Sequence, residues 1–225
     1  MSIYKKYLGN DFSKLHPKLQ ERFNLSIENG LSMKGTGKMH HIWNAGLHTR
    51  PFLQLGTMRN IMFPESGEDV PFTIENYCYL DSFGRETVAW IRKFHFGEKI
   101  RNFDATMVFS EKQHRLIDYL GNKQHLVTDL ELTANDDGSL TIRSGPQRFY
   151  EKKVGFDFPP LFSGNAEVHE SYDAENDRFN ISVVVSNKTF GNIFGYNGYF
   201  KAEFKKLNTE DIPAYARPLR EEIRE

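Results

Sequence analysis

The side chain with the clearest chemical potential in this sequence is an arginine set among aromatic residues, Arg92 in the segment WIRKFHF. Residues two apart share a face of a β-strand, so Arg92 shares one with Trp90 and Phe94. By the same rule, Glu170 falls beside Tyr172 on the apolar face of a second predicted strand. A buried guanidinium needs an opposite charge, dense hydrogen bonding or water.

Two interpretations of Arg92 follow. In the first, Arg92 pairs with Glu170, or stacks on Trp90 or Tyr172, within a dry core. In the second, the interior is hollow and Arg92 contacts the acidic head of a ligand, with His41 and Tyr172 as further polar contacts. A one-residue register error or a bulge would move any of these side chains to the opposite face. The predicted ligand-binding set is Arg92, Glu170, Trp90, His41, Tyr172, Phe94 and Met107.

Signatures of known catalytic and cofactor sites are absent from the sequence. There is no G-x-S-x-G elbow, Walker loop or H-E-x-x-H helix, so we predict no cofactor and assign no catalytic residue. Adjacent strand residues point to opposite faces, so His40 and His41, even with His48 nearby, do not predict a metal site. Three carboxylates on successive strands could form an acid–base pair, although solvated outer faces explain them better; they are Asp118, Asp129 and Glu131.

Composition and charge exclude several classes of protein. The net charge of −1 implies no general positive electrostatic field that would attract polyanions, so no nucleic-acid partner is expected. A single cysteine, Cys78, excludes an intrachain disulfide framework. The first residues lack the apolar region of a signal peptide, and no run of eighteen apolar residues could span a bilayer. These features predict a cytoplasmic protein without a transmembrane segment.

Hydrophobic periodicity predicts a mainly β protein with N-terminal helices. Apolar residues at three- and four-residue steps indicate helices over about 1–25, and Pro51 with the apolar stripe after it indicates a helix near 50–62. Most of the remaining chain alternates with period two, with turn sequences between the alternating runs. The candidate strands are 31–44, 72–82, 86–96, 102–110, 114–120, 124–134, 139–144, 147–154, 165–173, 178–186 and 196–206.

About eleven strands in one sheet would curl or close on themselves. We therefore predict an antiparallel meander that forms a barrel or strongly bent half-barrel, lipocalin-like in general architecture. The predicted organisation is a single β-barrel-like domain over 1–207, in which the helices of about 1–25 plug the barrel. Residues 208–225 are predicted to be a charged C-terminal tail, either partly disordered or forming a short helix after Pro218.

The glycine-rich segment FGNIFGYNGYF, residues 190–200, is not a dinucleotide-binding loop. It lacks the G-x-G-x-x-G spacing and lies between two candidate strands rather than opening a helix. Its three glycines instead predict a turn, a bulge and a close approach of two strands.

Several segments, in their order along the chain, resemble an uncharacterised bacterial family known as a domain of unknown function: GTGKM, WIRKFHF, DYLG, DDGSLTIRSG, FPPLFSG and FGNIFGYNGYF. The resemblance runs from about Tyr4 to Phe204. Members of that family occur alone or behind an oxidoreductase-like module that resembles nucleotide-sugar epimerases or saccharopine dehydrogenases. The resemblance therefore implies a bacterial stand-alone copy and a functional link to a neighbouring oxidoreductase, but no catalytic residues. The residues that match the family pattern are Trp90, Arg92, Phe94, Gly121, Gly138, Pro160, Gly195, Tyr196 and Gly198.

Three functional hypotheses remain open on this basis. The first is a carrier or sensor that binds a small apolar or acidic ligand inside the barrel, an inference that rests partly on fold analogy. The second is a cofactor-independent enzyme on the same ligand, with Glu170 or His41 as proton carrier. The third is an interaction module that docks on an oxidoreductase through an exposed apolar patch around FPPLFSG.

Overall fold

The computed structural model describes residues 1–46, 49–157 and 163–225, with the side chains of all of these except Phe52. His48, the family-pattern residue Pro160 and most of the segment FPPLFSG lie outside the described residues. The strands are β1 Leu31–Asn44, β2 Gly67–Leu80, β3 Glu86–Phe96, β4 Lys99–Ser110, β5 Arg115–Leu120, β6 Leu126–Ala134, β7 Leu140–Glu151, β8 Val154–Asp157, β9 Asn165–Asp173, β10 Arg178–Asn187 and β11 Gly191–Lys206. The α-helices are α1 Ile3–Leu8, α2 Pro17–Phe23 and α3 Arg50–Thr57, and shorter 3-10 helices cover Gly9–Lys14, Thr209–Asp211 and Ala214–Ala216.

Ten of the strands described form a closed antiparallel barrel. Strands β1 to β6 pair with their neighbours in chain order, β6 pairs with β7, and β7 pairs with β9. Strands β9, β10 and β11 then lead back to β1, and the β1–β11 pairing closes the barrel. The eleventh strand, β8, extends the sheet beside the second half of β7. The predicted antiparallel β-barrel is confirmed.

Strand β7 differs from the sequence prediction, which divided it into two strands at Gly145 and Pro146. Its pairing with β6 shifts register between Thr128 and Leu130, so that Gly145 and Pro146 together oppose the single residue Asp129. A bulge of this kind accommodates a proline, which has no N–H for the ladder, within a continuous strand.

The N-terminal helices bury their apolar faces in the barrel core. Ile3, Tyr4, Phe12, Leu19 and Phe23 are each at most 5% exposed and belong to the same core cluster as the inward-facing strand residues. Helix α1 lies against β3 to β6, and α2 lies against β9. Proline is well placed at the first turn of α2, where its missing N–H costs nothing, and His16 caps this end.

The C-terminal segment 208–225 runs along the outside of the barrel and has no helix after Pro218. Its backbone is held by hydrogen bonds such as Leu219 N–H to Asn122 O at 2.7 Å and Glu222 N–H to Gln124 Oε1 at 2.6 Å. Ala216 packs into an outer apolar cluster with Tyr79, Ala89 and Ile91. The short helix after Pro218, one of the two alternatives predicted for this segment, is therefore wrong, because these contacts hold an extended chain there.

The segment FGNIFGYNGYF lies almost entirely within β11 rather than between two strands. Gly191, which begins the strand, has a φ of +69° as the turn after β10 requires. A Cβ at Gly198 would lie 2.1 Å from the carbonyl oxygen of Lys38 on β1. The glycine thus permits the close approach of the two strands that close the barrel.

Candidate functional site

A cavity of about 410 Å³ lies inside the barrel. Its wall comes from the inward-facing residues of β3 to β7 and β9 to β11, together with α3 and the residues that follow it. Most of these side chains are apolar. Leu55 of α3 and Phe190 before β11 line the cavity and are also exposed, at 62% and 45%. The cavity therefore reaches the surface between α3 and the start of β11.

Arg92 lies in the cavity wall with its guanidinium partly satisfied by the protein. The side chain is almost fully buried, and its Nε donates to Phe103 O at 2.8 Å while Nη1 donates to the Tyr196 hydroxyl at 3.2 Å. The guanidinium also lies over the Phe103 ring, 4.0 Å from its centroid. Among the described residues, no carboxylate forms an ion pair with Arg92 and no group accepts a hydrogen bond from Nη2.

Trp90 and Met107 also line the cavity, as the sequence predicted for its apolar walls. The polar edge of Trp90 is already used, because Nε1 donates to the Tyr4 hydroxyl at 2.8 Å. That hydroxyl in turn donates to Met107 Sδ at 3.3 Å. Burial raises the pKa of Tyr4 well above its ordinary value, so the phenol is neutral and both wall residues offer the cavity only apolar surface.

Asp118 faces the same cavity, although the sequence analysis placed it on a solvated outer face. Leu116, Asp118 and Leu120 alternate inward along β5, and Asp118 is only 6% exposed. Burial raises the pKa of Asp118 to about 7, against the opposing charge of Arg92. The prediction for Asp118 is wrong because a charged residue was assigned outward by default.

The other two carboxylates of that predicted acid–base pair do not meet Asp118. Asp129 points away from the cavity, where Arg148 Nη2 donates to its Oδ1 at 2.7 Å and Arg115 Nη1 to its Oδ2 at 2.5 Å. Glu131 is exposed. An acid–base pair from these three residues is therefore excluded.

Glu170 pairs with Arg22 and not with Arg92, so the ion pair in the first interpretation of Arg92 is wrong. The stacking that this interpretation also allowed is present, because the Arg92 guanidinium lies over the Trp90 ring, 5.6 Å from its centroid. Arg22 Nε and Nη2 donate to the two carboxylate oxygens of Glu170 at 2.6 and 2.9 Å, deep in the core. Arg22 was not predicted, because the predicted inward-facing charges all lay on strands. A signal was available, since Arg22 lies three residues after Leu19 and beside Phe23, on the apolar face of α2.

His41 is exposed on the outer surface of β1 and does not line the cavity. The pairing of β1 with β11 shifts register between Met39 and His41, and this bulge turns both His40 and His41 to solvent while Ile42 returns to the core. The prediction that His41 is a polar contact in the interior of the barrel is therefore wrong. Because Glu170 is paired and His41 is outside, they cannot be the proton carriers of an enzyme at this cavity.

Phe94 and Tyr172 also lie away from the cavity lining. Phe94 is fully buried, with its ring 4.9 Å from that of Phe63 and 5.0 Å from that of Phe72. Tyr172 is half-buried, stacks on His16 and donates a hydrogen bond to Asp177. Of the seven predicted residues, the structure thus brings Arg92, Trp90 and Met107 together at the cavity.

His125 lies at the cavity wall between two charged side chains. Arg59 Nη1 donates to Nδ1 at 2.8 Å, and Nε2 lies 2.8 Å from Glu151 Oε2. Burial lowers the pKa of His125, and the charges of Arg220 and Arg59 act in the same direction. The neutral imidazole therefore donates from Nε2 to Glu151, and both of its nitrogens are occupied by the protein.

No group of three or more His, Cys, Asp or Glu side chains in the described part of the chain is arranged to hold a metal ion. None of the helices within 1–46, 49–157 and 163–225 has the length and apolar character needed to span a membrane.

Comparison with known proteins identifies relatives over almost the whole chain. The profile of a family described as "Domain of unknown function (DUF4166)" matches residues 15–200. The "Uncharacterized protein YndH" of Bacillus subtilis (strain 168) is 38% identical over 202 residues, which cover 90% of this chain and 97% of the relative.

Proposed function

The chain belongs to the DUF4166 family, and we propose that it binds a small, mainly apolar molecule with an acidic head inside its β-barrel, with Arg92 as the anchor for that head. The observation that carries this proposal is a buried guanidinium in the wall of an apolar cavity without a carboxylate partner among the described residues. The cavity volume of about 410 Å³ lies within the range of small-molecule sites, which are mostly apolar with a few polar groups.

The electrostatic argument for an acidic head follows from the burial of Arg92. A buried cation is stable only with an opposite charge or dense hydrogen bonding. Phe103 O and the Tyr196 hydroxyl supply two neutral acceptors. The carboxyl of Asp118 forms no ion pair with Arg92, and because burial raises its pKa to about 7 it is ionised only in part near neutral pH. A ligand carboxylate would accept from Nη2 and neutralise the charge, as charge-assisted bonds to arginine do.

A fluorescence titration tests the proposal. The probe is cis-parinaric acid, whose carboxylate can pair with Arg92, and its methyl ester provides the matched uncharged ligand. We expect Arg92→Ala to lower the affinity for the acid by tenfold or more, because a hydrogen bond to a charged group is lost. The affinity for the ester should change little. Arg143→Ala is the control, since Arg143 is half exposed on the outer face and pairs with Glu167.

A second variant checks that binding is internal. Val183 is buried and lines the cavity, so Val183→Trp should fill the cavity and lower the affinity for both the acid and the ester. A thermal melt verifies that the variant is folded. The proposal fails if wild type does not bind the acid, or if Arg92→Ala and Arg143→Ala bind it equally well.

The alternative of an accessory module for a neighbouring oxidoreductase stays a prediction from the family resemblance. Its expected contact surface, around FPPLFSG, lies mostly outside the described residues, so no contact described above favours it over ligand binding.

A further inference from the structure

The cavity wall contains a second unsatisfied polar group, Asp118. This residue lies opposite Met107 of the neighbouring strand β4, and its side chain is directed into the cavity. Its Oδ1 is enclosed by the protein and has no hydrogen-bond partner. Its Oδ2 also has no partner among the described residues and is not among the fully enclosed atoms, so this is the oxygen that a ligand can contact. An unpaired buried polar group is costly, and a ligand that donates a hydrogen bond to Oδ2 would offset part of that cost.

Other polar side chains of the wall are satisfied by the protein backbone, which sets Asp118 apart. Thr128 Oγ1 donates to Gly145 O at 2.9 Å, and Gln147 Nε2 donates to Gly164 O at 2.9 Å. The Ser144 hydroxyl accepts from Ala166 N–H at 2.7 Å. These three side chains therefore serve the fold, whereas the carboxyl of Asp118 has no hydrogen-bond partner among the described residues.

The register of the sheet separates Asp118 from the acid anchor. Arg92 lies opposite Phe103, while Asp118 lies in the row of Met107 and Val88, and Val88 is four residues before Arg92 on β3. At ordinary strand dimensions this is roughly 10 Å across the sheet and roughly 13 Å along it, measured between backbones. A molecule that contacts both side chains would therefore carry two separate polar groups, one for each residue.

The state of the Asp118 carboxyl limits the chemistry of the second group. The charged or titratable groups that act on it are Arg92 from β3 and the neutral phenol of Tyr4 from α1. Burial raises its pKa to about 7, so both forms occur at neutral pH. A hydroxyl can donate to either form and can accept from the protonated one. An ammonium would be repelled by Arg92, and a second carboxylate by ionised Asp118.

We propose that the ligand of this barrel carries a hydroxyl group remote from its acidic head, and that Asp118 selects such a ligand by hydrogen bonding to that hydroxyl. This inference rests on the proposed function and deepens it from an apolar acid to a hydroxylated apolar acid. A site built to bind a hydroxyl discriminates against the analogue without one, because its own polar group is then left unpaired.

Competition with cis-parinaric acid tests the inference. The competitors are dodecanoic acid and a series of hydroxydodecanoic acids with the hydroxyl at different carbons. For wild type we expect one hydroxyl position, or two adjacent ones, to improve affinity at least tenfold over dodecanoic acid. A fixed contact requires this dependence on position, whereas a general effect of polarity would favour every isomer alike.

Two variants of Asp118 assign the effect to this residue. Asp118→Asn keeps hydrogen-bonding capacity and should retain the preference for that isomer. Asp118→Leu is similar in size and apolar, so it should remove the preference while binding dodecanoic acid at least as tightly. If Asp118→Leu does not fold, as judged by its thermal melt, Asp118→Ala is measured with the same competitors.

The inference is overturned if no hydroxylated acid binds wild type better than dodecanoic acid, or if the preference survives in Asp118→Leu or, where that variant does not fold, in Asp118→Ala. Its failure is distinguishable from failure of the proposed function, since dodecanoic acid and Arg92→Ala together report on the acid anchor alone. If no acid binds at all, both are rejected.

Discussion

Arg22 holds both carboxylate oxygens of Glu170 inside the barrel, with Nε 2.6 Å from Oε2 and Nη2 2.9 Å from Oε1. The two side chains are 1% and 0% exposed. The remaining nitrogen of the guanidinium, Nη1, donates to Asn76 Oδ1 at 2.7 Å. The pair joins α2 to β9, so it fastens the N-terminal helical segment to the barrel wall.

Loss of either partner of this pair should be strongly destabilising. Arg22→Met or Glu170→Leu leaves the other charge buried without compensation, which typically costs about 3–5 kcal/mol. Urea denaturation should show this loss in the free energy of unfolding. The double variant should lose less than the two single losses combined, because it removes both charges.

The control for this pair is Lys18–Glu21 on the same helix, whose partners are 48% and 42% exposed. Glu21→Gln should change the free energy of unfolding by no more than about 1 kcal/mol. A loss as small as that in both Arg22→Met and Glu170→Leu would contradict a buried, mutually dependent pair.

The barrel could be predicted from sequence because its strands alternate regularly and short turns join them. Inward side chains on regular strands, such as Trp90, Arg92 and Met107, were placed on the correct face for the same reason. His41 was misplaced since a bulge reverses the alternation, and a bulge of one residue leaves no mark that periodicity can detect.

The pairing partners of the buried charges could not be predicted. Arg22 and Glu170 are separated by 148 residues along the chain, and only the closure of the barrel brings α2 to β9. Asp118 was assigned to solvent because buried aspartates are rare. The available signal was the alternation of Asp118 with Leu116 and Leu120. This pattern indicated the inner face correctly, whereas the charge of the side chain did not.

Asp118 should make stability fall as the pH rises. The folded protein holds the Asp118 proton up to about pH 7, whereas the unfolded chain releases it near the ordinary pKa of 3.8. The folded state therefore binds more protons between these values, and the free energy of unfolding decreases across this window. At full ionisation the penalty is on the order of 4 kcal/mol.

Urea denaturation of wild type and Asp118→Asn from pH 4 to 8 measures this penalty. Stability of the variant relative to wild type should increase up to about pH 7 and then level off. Asp129→Asn is the opposite control. Burial acts to raise the pKa of Asp129, but Arg148 and Arg115 outweigh it and lower the pKa. The cost of this substitution should therefore stay nearly constant from pH 4 to 8 and shrink only below the ordinary value of 3.8, so the measurements on this variant are extended below pH 4. A constant difference between wild type and Asp118→Asn would show that Asp118 titrates normally.

Gly198 should not tolerate even a methyl group. The Cβ of an alanine would lie 2.1 Å from Lys38 O and 2.6 Å from Met39 Cα, and both are backbone atoms of the paired strand β1. We expect Gly198→Ala to cost about 1–3 kcal/mol or more, as overpacking does, in chemical denaturation. Gly145→Ala is the matched control, since its Cβ would meet only Asp129 O at 3.5 Å. Equal stability of the two variants would contradict the close approach of β1 and β11.

The C-terminal segment 208–225 should contribute to stability without contributing to ligand binding. Its backbone accepts from the Tyr119 hydroxyl through Arg224 O, and Tyr119 belongs to an outer apolar cluster with Val108, Ile117 and Val127. No residue of the segment lines the cavity. Deletion of 208–225 should therefore lower the urea concentration at the unfolding midpoint and increase the fluorescence of the apolar dye ANS. The affinity for cis-parinaric acid should change by no more than about threefold, which is less than the tenfold change that corresponds to 1.4 kcal/mol. Leu219→Ser, at a side chain 75% exposed, should leave all three measurements unchanged. If the deletion changes neither the unfolding midpoint nor the dye fluorescence, the segment does not shield apolar surface of the barrel from water, and the prediction is wrong.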